Sequence, residues 1–238
     1  MTEGPDYHKR RGVICSKIRS LLTSLTGEPP KYDQIVPKIE YWIEFALRER
    51  FATVDELVEG VSGAAWEEGG FHKNVGRFFR EFYDASHRSE QARSFVAQLC
   101  PYVLRWFAIA SAEDLWLDSD SGDLSFRGGP AFIRAASFVG SLIEWGMLSR
   151  ELVRQYLVKP LINHNNNHGH KYSPEAVRAN AIYQLFTAAG NSLLQGLLET
   201  EDVQACFEIF DSRRGWINGF NSAKLQVRYA SHDDASYN

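Results

Sequence analysis

The sequence predicts an all-α protein of stacked antiparallel helical hairpins, an α-solenoid of roughly eight to nine helices. Three observations carry that reading. Apolar residues recur three and four apart along most of the chain, the period of one helix face. No stretch longer than about four residues alternates strictly, so no strand is expected. Many consecutive segments carry wide apolar faces, and each such face needs neighbours on two sides. No fixed-period repeat is visible, so a helix bundle is the alternative.

The elements follow in order. From Tyr32, residues Ile35, Ile39, Trp42, Ile43 and Ala46 mark one helix face, and Pro37 predicts a start or a kink. Thr53 and Glu56 form a capping-box pair ahead of Leu57, Val58, Val61 and Trp66, with a stop at Gly69-Gly70. Val75, Phe78, Phe79 and Phe82 belong to a helix that runs from Phe71 to about His87. Phe95, Leu99, Val103 and Phe107 stripe the next, from about Ala92 to Ala110. A polar loop follows from Ser111 to Gly129. Phe132, Ile133, Phe138, Val139, Leu142 and Ile143 then mark a helix from about Pro130 that ends at Gly146. Ser149 is placed to cap a helix through Leu161. After the Asn- and His-rich stretch from His164 to His170, Ser173-Pro174-Glu175 opens a helix with Ala181, Leu185 and Ala189. A last pair covers about Glu201–Asp211 and Gly219–Tyr229.

The chain has 238 residues, 44% of them hydrophobic, enough for a sizeable core and too apolar for disorder. One helical-repeat domain is expected over 12–230, with flexible segments at 1–11 and 231–238. Cys15, Cys100 and Cys206 are odd in number and far apart, which excludes a disulfide scaffold and suggests a reducing setting. The richest apolar stretch, Phe95 to Ala110, is interrupted by Gln98 and Arg105, so no membrane span is expected. Met1 to Arg11 lacks the apolar region of a secretory signal, and a soluble cytoplasmic or nuclear protein is the expectation.

No catalytic constellation assembles: there is no phosphate-cradling glycine loop, no metalloprotease helix motif, no nucleophile elbow and no paired-cysteine motif. The sequence therefore predicts a non-enzyme without a cofactor. Asp118 to Asp123 is similar to a calcium loop, but its glycine comes early and Gly129 stands where a bidentate Glu is needed, so a solvated acidic loop is expected. His164, His168 and His170 lack a nearby Cys, Asp or Glu to complete a metal site. The net charge of −4 leaves nucleic-acid binding to local patches. Lys9, Arg10 and Arg11 precede the first helix, and Arg77, Arg80, Arg88 and Arg93 surround a turn between two helices. The second group could meet RNA phosphates; the alternative is a solvated face balanced by Glu81 and Glu90.

The segment Phe138-Val139-Gly140-Ser141-Leu142-Ile143-Glu144-Trp145-Gly146-Met147-Leu148-Ser149 is the most specific in the chain. It resembles the Phe-Ile-Gly-Glu-Leu to Met-Leu-Ser/Thr signature of the middle domain of eukaryotic translation initiation factor 4 gamma. Ile18 to Thr26 is similar to the opening segment of that family, in the right order and at a similar spacing. Gly140 is expected to let a neighbouring helix approach closely, with Phe138, Leu142 and Met147 filling the seam. Ser141 stands where the family has Glu, and Thr23-Ser24 where it has Asn-Lys; these departures read as polar surface positions.

The resemblance implies a HEAT-repeat-like fold in a divergent, stand-alone member. It implies a cytoplasmic adaptor in messenger RNA metabolism, most naturally translation, whose partner is the DEAD-box RNA helicase of initiation. Ser94-Phe95-Val96 resembles the opening of the family helix that contributes to helicase contact, which makes Phe95 the candidate partner anchor. Its place in the stripe Phe95, Leu99, Val103, Phe107 is the competing, core reading. Two other functions stay open: an RNA-binding module using the arginine patch, and a self-associating regulatory scaffold that has lost the helicase contact.

Overall fold

The computed structural model describes residues 5–25, 32–65, 74–84, 89–112, 129–153 and 174–190, together with Glu208. Helix α1 runs Pro5–Thr23, and the fixed φ of proline suits its first turn. Lys9, Arg10 and Arg11 therefore lie on α1, which corrects the flexible segment expected there for residues 5–11. Helix α2 runs Tyr32–Arg48 and carries Pro37 inside it, so the helix starts ahead of the proline. Helix α3 runs Val54–Ser62 and tightens into a 3-10 turn at Gly63–Ala65. It ends earlier than the periodicity suggests, where Ser62 and Gly63 lower helix propensity. Trp66 and Gly69-Gly70 lie outside the described residues.

Helix α4 runs Asn74–Asp84, and α5 runs Glu90–Ala112 with Pro101 inside it. Helix α6 runs Gly129–Glu144, the single turn α7 Arg150–Val153, and α8 Pro174–Ala189. Ser149 caps α7, accepting from the Leu152 N–H at 3.3 Å. Among the described residues all regular structure is helical, and seven helices have 9 or more residues. No described helix is long and apolar enough to cross a membrane. The acidic loop, the Asn/His stretch and the last helix pair fall outside the described residues, except Glu208.

Phenylalanines fill the core. Phe78, Phe79 and Phe82 of α4, Phe95 and Phe107 of α5, and Phe132 and Phe138 of α6 are essentially fully buried. Phe107 stacks on Phe132 at 4.7 Å between ring centroids, and Phe79 meets Phe138 edge-on at 6.3 Å. Each such ring contributes about 1.5–3 kcal/mol by leaving water. Helix α1 packs on α2 and α3, and α5 lies against α2, α3, α4 and α6. Helix α4 also meets α6, and α6 shares the most extensive seam with α8. These extensive contacts all join helices no more than three apart in the chain.

Two glycines set how closely the later helices approach. A Cβ on Gly140 of α6 would fall 2.5 Å from the Leu185 carbonyl oxygen and 2.8 Å from the Ala188 Cβ on α8. Only a residue without a side chain allows that approach, as the sequence suggested. Gly76 of α4 is pressed in the same way on Ser141 of α6. Ser141 is 0% exposed, which corrects its reading as a surface position. A Glu has no room there, and its charge would be buried.

Candidate functional site

The arginines of α4 are committed to local partners. Arg77 Nε donates to Glu81 Oε1 at 2.6 Å, and Arg80 Nε to Asp84 Oδ2 at 2.7 Å, each four residues on. This i, i+4 spacing puts acid and base on one helix face. The second acid is Asp84, where the sequence reading had Glu90. Arg77 also lies over the Trp145 ring at 5.7 Å from its centroid, and the Arg80 guanidinium sits beside Gly146. Both arginines thus border the turn after α6, where Gly146 adopts a φ of 66°. Arg93 lies in the first turn of α5, its Nε buried without a hydrogen-bond partner. Arg88 lies outside the described residues.

Phe95 is 0% exposed and belongs to the common core with Leu99, Val103 and Phe107. Its helix turns it inward, so the ring offers a partner no surface in this conformation. The stripe reading describes its surroundings; the anchor reading does not.

A clamp ties the start of α1 to the start of α3. The Glu56 carboxylate accepts from the Tyr7 hydroxyl at 3.0 Å, from the Thr53 N–H at 2.7 Å, and from the Arg11 guanidinium. Thr53 Oγ1 in turn accepts from the Glu56 N–H at 3.2 Å, completing the capping box read from the sequence. Burial raises the Glu56 pKa, but the Thr53 and Tyr7 hydrogen bonds and Arg11 outweigh it and hold the carboxyl below its ordinary value. The Cys15 and Cys100 thiols are both pushed up by burial, away from the thiolate form a nucleophile needs.

An open groove between α1 and α2 was not read from the sequence. Lys9, Arg10 and Val13 form one wall, and Trp42, Phe45 and Phe51 the other, around a cavity of about 370 Å³. Tyr41 stands on the same helix as Trp42 and Phe45 and is 54% exposed; Val13 is 52% exposed. The adjacent pair Tyr41-Trp42 was the available signal, since neighbours on a helix cannot both face the same core. A second groove of about 410 Å³ lies between α3 and α5, lined by Asp55, Val58, Gln98, Tyr102 and Arg105.

Among the described residues no group of three or more His, Cys, Asp or Glu is placed to hold a metal ion. The sequence candidates in the acidic and His-rich loops lie outside the described residues. No known family model matches the chain, and neither a curated protein nor a solved structure matches it.

Proposed function

We propose that this chain is a non-catalytic adaptor of stacked helical hairpins, HEAT-repeat-like in arrangement, acting in messenger RNA metabolism in the cytoplasm. Its proposed partner is a DEAD-box RNA helicase of translation initiation. The observation that supports this most is the packing of the signature segment. Gly140 lets α8 close onto α6, as expected for that position, while Phe138 is buried on the other side of α6 against Phe79 of α4, which corrects its expected place in the Gly140 seam. Contacts confined to helices close in the chain also suit a stack of hairpins, whose edge of inter-helix turns fits a two-lobed client.

Phe95 carries no part of this proposal, because it is buried. The RNA-binding alternative draws less support, since Arg77 and Arg80 already face Glu81 and Asp84. Titration with a purified DEAD-box initiation helicase tests the proposal. Binding at roughly tens of micromolar or tighter, with a change in ATP turnover, is expected. No binding in that range and unchanged turnover would remove the helicase from the reading.

A further inference from the structure

We propose that the groove between α1 and α2 is a docking site for an acidic amphipathic helix of a partner protein. The inference is independent of the helicase reading. Its walls are largely apolar: Val13 on one side and the rings of Trp42, Phe45 and Phe51 on the other line the space. Val13 and Tyr41 are two of the few large apolar side chains left exposed among the described residues. Val13 lines the groove itself, and Tyr41 stands beside it on α2, next to Trp42; exposed apolar area at a concavity marks a place where another surface docks. The geometry suits a helix laid along two helices, with apolar anchors three and four apart entering the groove.

Charge selects the partner's sign. Lys9 makes no ion pair among the described residues, and it stands at the rim. Arg10 is shared between Asp6, at 3.3 Å, and the face of the Phe51 ring, 5.1 Å from its centroid. Two cations therefore oppose one carboxylate, a local positive excess in a chain of net charge −4. A carboxylate beside the partner's apolar anchors meets Lys9 without displacing the Arg10 contacts.

The aromatic side chains disfavour nucleobases as the occupant. Tyr41 and Phe45 stack on each other at 5.9 Å with 15° between their planes, and Trp42 meets both edge-on. Arg10 covers one face of Phe51. Ring faces that base stacking would use are turned on neighbouring side chains.

The test pans a random-peptide phage library on the full chain and, in parallel, on the Val13→Glu variant. Val13 and Lys9 are exposed, and circular dichroism with a urea midpoint verifies that each variant folds. Expected are peptides enriched on the wild type alone, with apolar residues three or four apart and an excess of Asp and Glu. A fluorescein-labelled copy of an enriched peptide should bind in a salt-dependent way, read by fluorescence anisotropy. Lys9→Glu should weaken it about tenfold, and Val13→Glu should abolish it. Equal enrichment on Val13→Glu, enrichment of basic peptides, or an affinity unmoved by Lys9→Glu would each overturn the proposal. Tighter binding of oligouridylate that displaces the peptide would assign the groove to single-stranded nucleic acid instead.

Discussion

Gly76 of α4 and Ser141 of α6 meet backbone to backbone: a Cβ on Gly76 would stand 2.8 Å from both the carbonyl carbon and the carbonyl oxygen of Ser141. Neither partner has a flexible end that could swing aside, so added bulk on one helix must move the other.

Substitutions at this crossing should therefore be graded by size. Ser141→Ala should cost about 1 kcal/mol, a buried hydroxyl exchanged for a hydrogen. Gly76→Ala should cost about 1–3 kcal/mol through overpacking. Ser141→Glu should cost on the order of 4 kcal/mol or prevent folding, since it adds volume and a buried charge. Urea midpoints of the three variants check the order. A stable Ser141→Glu protein would mean that α4 and α6 do not touch here.

Phe95→Ala should cost about 3–5 kcal/mol of stability, because it empties a fully enclosed ring site. A urea midpoint near that of the wild type would show that the ring is not in the core and would reopen it as a partner contact.

Glu56 gives stability a pH dependence on the acid side. Its folded-state pKa lies below the ordinary value of 4.5, so the clamp contributes fully above that value. The contribution is lost as the pH falls through the lowered folded-state pKa. Urea midpoints measured from neutral pH down to the acid range should fall less steeply below pH 4.5 in Glu56→Gln than in the wild type. Thr53→Ala should cost about 1 kcal/mol at neutral pH by removing the cap. Parallel pH curves for Glu56→Gln and wild type would contradict the clamp.

Arg77→Ala and Arg80→Ala should each change stability by at most about 0.5 kcal/mol, as expected for exposed pairs four apart on a helix. They should also leave any RNA affinity unmoved. A mobility shift that weakens in both variants, and that falls steeply with salt, would restore the arginine patch as an RNA site.

Much of the architecture was legible from single residues. The three-to-four spacing located the helices, Thr53 and Glu56 announced their capping box, and Gly140 announced a close approach. The burial of Phe95 was equally present in its stripe with Leu99, Val103 and Phe107. The depth of Ser141 was not legible, because its burial depends on Gly76 of α4, and no local pattern announces that crossing. Pro5 and Asp6 carried a helix-start signal that the basic triplet after them obscured. The α1–α2 groove was hidden for the opposite reason. Trp42 and Phe45 fit the periodic pattern of a core face, and only the packing of α1 shows that they are half covered.

The confinement of extensive contacts to helices close in the chain bears on how the molecule forms. Loops of this length close at modest cost, since loop-closure entropy grows slowly with length. Helix α1 meets α2 and α3, but α3 has its most extensive seam with α5, so this part of the core can close once α5 has been synthesised, ahead of the later chain. The α6–α8 seam, built around Gly140, then joins a scaffold already in place, and assembly proceeds in the direction of translation.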